Sequence, residues 1–272
     1  MLRVLTFTGY IKHAWTETIR MRIIIILTLV SAGYYAPAQF RVTEKENRIN
    51  GLEQPKQAKK PHLFLNAVKT PIVLIGLGTY SCLSEDVINR YAVREERNEH
   101  MPDFQTKVDN YLMHAPIVLV YGLNIAGIKG KNDFTNRTLL LVKSEAIMAA
   151  LTFSFKSLTK VPRPDDTDIQ SFPSGHTAQA FATATFMAKE YGDQSVWYAV
   201  GAYGIATTVG AMRIMNNRHW VSDVLAGAGI GILSTNLAYL THRYKWKNKP
   251  SQLTVVPSYA AGPGFYLSYT FN

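Results

Sequence analysis

A chain of 272 residues is long enough to bury a full hydrophobic core, and its length favours one domain with at most a short appendage. Its apolar fraction of 47% and a mean hydropathy near zero are low for a protein made wholly of lipid-facing helices, while membrane insertion stays open. The formal charge of +10 does not indicate nucleic acid, because the Lys and Arg residues are scattered rather than gathered into one run interleaved with aromatics, and the single cysteine, Cys82, excludes an intramolecular disulfide and a cysteine-based metal cluster.

At the amino terminus Arg20, Met21 and Arg22 precede an uncharged run from Ile23 to Gln39 that contains Ala36-Pro37-Ala38. This is the layout of an export signal cleaved before Gln39, with an uncleaved anchor as the competing reading. Met21-Arg22 would itself make a good start, so residues 1–20 read as an upstream extension. Four regions follow: 1–38 as signal peptide or anchor, 39–69 as a polar lead-in, 70–245 as a helical domain and 246–272 as a tail. Two basic clusters, Lys56/Lys59/Lys60 and Arg243/Lys245/Lys247/Lys249, suit an anionic membrane surface or, equally, a solvated basic face.

From Pro71 onward, apolar stretches too long for ordinary strands alternate with polar breaks. The pattern predicts an all-α bundle of six helices near 71–92, 104–128, 136–157, 175–191, 195–214 and 219–243. Charge-free runs of nearly spanning length occur only in the last two, Ser195 to Met212 and Val224 to His242. The third carries Lys143, Ser144 and Glu145 at its middle, which a membrane helix tolerates only if those groups face a protein interior or pocket. In the tail, Leu253-Thr254-Val255-Val256 and Tyr266 to Phe271 flank Gly262-Pro263-Gly264, which predicts a short β-hairpin packed on the bundle.

Three segments carry candidate chemistry. In Lys156-Ser157-Leu158-Thr159-Lys160-Val161-Pro162-Arg163-Pro164 a helix should stop before the prolines and leave cations near its exit. By itself this is weak, since such cations also complement a helix dipole. In Phe172-Pro173-Ser174-Gly175-His176-Thr177, Ser174 can cap a helix whose first N–H groups point outward toward an anion, although an ordinary capped turn reads the same way. In Arg213 to Asp223, the spacing of four between His219 and Asp223 puts both on one helical face, where the carboxylate can orient the imidazole. An isolated pair of this kind is more often a plain hydrogen bond.

Together the segments resemble the signature of the phosphatidic-acid phosphatase type 2 superfamily, which also includes bacterial acid phosphatases and vanadium haloperoxidases. The matching positions are Lys156, Arg163, Pro164, Pro173, Ser174, Gly175, His176, Arg213, His219 and Asp223, in the family's order and spacing, with Met212 standing where the family usually has Ser. The resemblance covers roughly residues 70–243. It implies a hydrolase of phosphomonoesters that needs no metal or cofactor. A phosphate ester requires positive charge on its non-bridging oxygens, an in-line nucleophile and a proton for the leaving oxygen. Lys156, Arg163 and Arg213 would clamp the phosphoryl oxygens with the Ser174 hydroxyl and the N–H groups around Gly175; His219, oriented by Asp223, would form a phosphohistidine; His176 would protonate the leaving group and then activate water. A Walker-type glycine loop and a compact Asp/His cluster are both missing from the sequence. His62, His100, His114 and His242 have no comparable company, and His13 lies in the presumed leader.

From Asp109-Asn110-Tyr111-Leu112 to His176 and on to Trp220, the resemblance is nearest to exported Gram-negative members acting on lipid A phosphates, so the expected partner is a phosphorylated lipid at a membrane. If helices two to six span, Lys129, Lys131 and Arg137 fall on one side with the cluster after Tyr244, and the three segments fall on the other. The positive-inside rule then places the pocket on the periplasmic face of a bacterial inner membrane, and a cleaved signal agrees provided 71–84 does not cross. Competing functions are a soluble periplasmic acid phosphatase, a vanadium haloperoxidase, which would oxidise halide without releasing phosphate, and a non-catalytic envelope protein with a relict pocket.

Overall fold

The computed structural model describes residues 62–84 and 88–244 together with two strands, 253–258 and 264–269. The export signal with His13, the lead-in, Lys56/Lys59/Lys60 and Lys245/Lys247/Lys249 lie outside the described residues, as does the side chain of His62. The elements are α1 (His62–Leu83), α2 (Arg90–His100), α3 (Asp109–Leu112), α4 (Ala115–Ile125), α5 (Phe134–Thr159), α6 (Gly175–Tyr191), α7 (Val196–Met215) and α8 (Val221–Leu240). Strands β1 (Leu253–Ser258) and β2 (Gly264–Tyr269) pair antiparallel with Val255 opposite Leu267, forming the expected hairpin; the remaining described elements are all helices.

Small side chains decide how the helices assemble. The run Ala226-Gly227-Ala228-Gly229-Ile230-Gly231 gives α8 almost no side-chain bulk, and α8 packs against α1, α5 and α6. Gly227 and Gly231 face α6, where a Cβ on Gly227 would sit 2.6 Å from the Ser174 carbonyl oxygen; Gly229 faces α1, with a Cβ 2.7 Å from the Pro71 carbonyl oxygen. Close backbone approach of this kind replaces hydrophobic side-chain contact with backbone van der Waals contact. Larger residues fill the remaining space, with Leu74, Val120, Leu140, Phe181, Phe186 and Ile232 in the main buried cluster.

The first predicted helix is shifted. α1 begins at His62 and runs through Pro71 instead of starting there. Pro71 has no N–H for the carbonyl of Ala67, and Asn236 of α8 supplies the missing donor, its Nδ2 lying 2.7 Å from Ala67 O. A tertiary side chain thus carries the helix across its proline. The predicted helix 104–128 is divided into α3 and α4, with Pro116 at the start of α4. The charged stretch 93–103, read as a break after a helix ending near 92, instead belongs largely to α2, which is capped by Asn89 Oδ1 accepting from Tyr91 N (2.9 Å) and Ala92 N (3.0 Å). No α2 residue is buried, so no apolar period marked it; Arg97 Nε instead donates to Met215 O at 2.8 Å.

The spanning expectation also changes. By length and apolarity α5 and α8 could cross a membrane, whereas α7 does not meet the same test. The polar middle of α5 turns inward: Ser144 Oγ lies 2.6 Å from Thr235 Oγ1, and Gln179 Nε2 donates to Glu145 at 2.8 Å. At the C-terminal end of α6, Glu190 is buried and accepts from Arg137 Nε (3.2 Å), Asn132 Nδ2 (2.6 Å) and Tyr239 OH (2.6 Å). Arg137, counted as a free loop charge in the topology argument, is therefore neutralised inside the bundle, and Lys131 pairs with Asp193 at 2.9 Å. This end lies about 24 Å along α6 from Ser174.

Candidate active site

His219 is placed by a tight turn at the end of α7. Asn217 adopts a left-handed conformation, φ 57°, which asparagine tolerates better than most residues. The turn lets the N–H groups of Arg218 and His219 both donate to Arg213 O, at 3.1 and 3.3 Å. The imidazole that follows is 3% exposed and turns Nδ1 toward Asp223 Oδ2 at 3.3 Å. Asp223 lies in the first turn of α8, where the same Oδ2 accepts from Trp220 N (3.0 Å) and from Ser171 Oγ (2.5 Å). Ser171 Oγ is also 3.4 Å from His219 Nδ1. The carboxylate thereby orients the ring through Nδ1 and leaves Nε2 clear of this contact. Burial pushes the imidazole below the ordinary histidine range, and the Asp223 carboxylate works against that shift.

The second segment is tied to the same hub. Ser174 N donates to Asp223 O at 3.0 Å, so the start of α6 and the start of α8 are held together through their backbones. Ser174 Oγ caps α6, accepting from Thr177 N at 3.4 Å and from Thr177 Oγ1 at 2.9 Å. Gly175 opens the helix, and His176 Nε2 lies 2.8 Å from Asn110 Oδ1. Trp220 closes one side: its Nε1 donates to Pro162 O at 2.8 Å, and Arg90 and Arg94 of α2 lie over its ring, 5.1 and 5.6 Å from the centroid.

Each candidate cation is held by a group of its own. Lys156 Nζ donates to the carbonyls of Gln170 and, at 3.4 Å, Ser171. Arg163 Nη2 lies 3.5 Å from Asp168 Oδ2, and Arg213 Nη1 lies 2.7 Å from Asp109 Oδ2, with Asp109 fully buried. Arg163 Nε and Arg213 Nε are buried donors without a protein acceptor. Lys156 and Arg213 are within electrostatic reach of His219, and Arg163 and Arg213 of His176. All eight residues singled out from the sequence thus gather around the ends of α5 and α7 and the starts of α6 and α8.

Sequence reasoning missed four partners: Ser171, Asp168, Asp109 and Asn110. Ser171 stood one residue before the second segment and carried a hydroxyl as its only signal. Asp168 follows Arg163 by five residues in the same loop, whereas Asp109 and Asn110 act through contacts that no local spacing encodes. Of the remaining histidines, His242 Nε2 lies 2.8 Å from Asn136 Oδ1 and His100 Nδ1 3.0 Å from Glu96 O, both structural roles. Among the described residues Glu96, Glu99 and His100 have potential metal-ligand atoms within 4.8 Å of one another, on α2 and sharing no residue with this site.

Comparison with known proteins finds partial similarities. The family model of the PAP2 superfamily matches residues 137–247. The lipid A 1-phosphatase of Porphyromonas gingivalis is 41% identical over 151 residues, covering 54% of this chain and 33% of that protein, so the chain spans about a third of the length of this curated relative. Two solved structures are similar in part, each at 22% identity. Aquifex aeolicus LpxE has a TM-score of 0.41 over 54% of this chain and 93% of its own. The transmembrane PAP2-type phosphatidylglycerolphosphate phosphatase of Bacillus subtilis has a TM-score of 0.47 over 65% and 99%.

Proposed function

We propose, from the match of residues 137–247 to the family model of the PAP2 superfamily, that the protein is a phosphoric monoester hydrolase acting on a membrane lipid such as lipid A, without a metal, through a phosphohistidine. The observation that carries this reading is His219, buried, held at Nδ1 by Asp223 and within electrostatic reach of Lys156 and Arg213, with Arg163 and Arg213 in reach of His176 beside it. Its Nε2 attacks phosphorus as the bond to the leaving oxygen breaks, and His176 delivers a proton to that oxygen. His176 then takes a proton from water, the water oxygen attacks phosphorus, and the P–N bond breaks to release phosphate and restore His219. Arg163 Nε and Arg213 Nε, donors without a protein acceptor, suit phosphoryl oxygens, and three cations supply the charge that a metal would otherwise provide.

A lipid substrate is supported by the outer surfaces of the bundle. Phe64 and Ile72 on α1, Leu119 on α4, Val142 and Phe153 on α5 and Trp197 on α7 are all exposed, a distribution suited to acyl chains. The relative in Porphyromonas gingivalis is named for lipid A. With the export signal, these features favour an inner-membrane protein whose site faces the periplasm. Detergent-solubilised protein should show higher kcat/KM on lipid A or phosphatidic acid than on glycerol phosphate, because remote contacts position the phosphoryl group. Recovery in the soluble periplasmic fraction, with equal efficiency on soluble esters, would overturn the lipid assignment and leave the His219 chemistry standing.

The proton role of His176 has its own test. Replacing His176 with Ala should lower kcat by about 10²–10⁴-fold on alkyl phosphates and by less on aryl phosphates, whose leaving groups need little protonation. Equal losses on both would rule out His176 as the acid.

A further inference from the structure

The four-residue helix α3 reaches the site twice with consecutive side chains. Asp109, fully buried, holds Arg213 at 2.7 Å, and the next residue, Asn110, meets His176 Nε2 through Oδ1 at 2.8 Å. The two bonds differ in kind. Asp109 is locked inside and anchors α3, whereas Asn110 is exposed, so its amide is placed by its neighbour and not by packing around itself. An amide oxygen accepts only, so this contact puts a proton on His176 Nε2 and leaves Nδ1 clear of it.

We infer that Asn110 is a positioning residue for the proton donor: it fixes the His176 ring and tautomer and stabilises the protonated ring, so that Nδ1 delivers the proton to the leaving group. This deepens the proposed phosphatase reading and rests on it. The bond is the counterpart of the Asp223–His219 contact, but with a neutral partner. The difference is functional, since a nucleophile must be uncharged at nitrogen, whereas an acid must hold a proton and then release it. A carboxylate at position 110 would hold that proton too firmly; an amide orients the ring at lower electrostatic cost. The charged and titratable groups facing His176 are Asp109 on α3, Arg213 on α7, His219 before α8 and Arg163 after α5, and none changes when residue 110 is replaced.

The experiment compares full-length wild type, Asn110→Ala, Asn110→Asp and His176→Ala in detergent, on phosphatidic acid as alkyl ester and 4-nitrophenyl phosphate as aryl ester. Asn110→Ala should lower kcat about 10-fold on the alkyl ester and no more than about 2-fold on the aryl ester, with apparent Tm unchanged because the side chain is exposed. The basic limb of kcat/KM, where the acid loses its proton, should move down by roughly half a pH unit in Asn110→Ala and up by roughly one in Asn110→Asp. Limbs that stay in place, or move in the same direction in both variants, overturn the inference. Equal losses on the two esters in His176→Ala would remove the acid role itself, and a leaving-group effect in His176→Ala without one in Asn110→Ala would reject Asn110 alone.

Discussion

His219→Ala should lose at least about 10⁴-fold in kcat on every phosphate ester while keeping its fold. Its ring contributes one hydrogen bond to Asp223, and that carboxylate retains Ser171 Oγ and Trp220 N as donors when the ring is removed. The buried charge therefore stays solvated by protein, and the loss falls on chemistry. A rapidly quenched reaction of the wild type should contain a phosphorylated protein labile to acid, mapped to His219 by mass spectrometry; His219→Ala should give none. Because burial lowers the affinity of this imidazole for a proton, the neutral nucleophile persists as pH falls. The acidic limb of kcat/KM should then lie below about 6.5, the value of an ordinary histidine. Turnover near the wild-type rate in folded His219→Ala would remove the central claim.

Gly231→Ala is the other large effect, and it acts on stability. A Cβ there would lie 2.2 Å from Ala178 O and 2.7 Å from Ala182 N, both backbone atoms of α6 that no rotamer change can move aside. Relief requires the two helices to separate, at a cost of about 3 kcal/mol, and apparent Tm should fall by roughly 10 °C. Activity should fall as well, because Ser174 and Asp223 begin those two helices and meet through their backbones. Gly201→Ala and Gly204→Ala provide the control. Nothing lies within 4 Å of a Cβ at either position, so alanine should stabilise α7 by up to about 1 kcal/mol through helix propensity alone. A Gly231→Ala protein as stable as those two would contradict the close helix contact.

The chemistry-bearing segments were legible because their information is local. Residues from His219 to Asp223 form one turn, Ser174 to Thr177 form one cap, and α6 begins and ends where its pattern says it should. Illegible were the features that depend on a partner far along the chain. Pro71 stops a helix in isolation, and only Asn236 makes continuation favourable. α2 has no apolar stripe to read because it is held by arginine contacts to Met215 O and Trp220. Asp109 and Asn110 meet Arg213 and His176 from 104 and 66 residues away.

The bond between Asn236 and Ala67 also sets an order of events during synthesis. α1 emerges first among the described helices, yet its carbonyl at Ala67 finds its donor only when the last of them has been made. That same late segment brings His219 and Asp223. A nascent chain that has passed Arg213 already holds the three cations and the Ser174 cap but lacks the group proposed to attack phosphorus. The proposed hydrolysis would therefore become possible only together with closure of the bundle, and a stalled or truncated chain would release no phosphate.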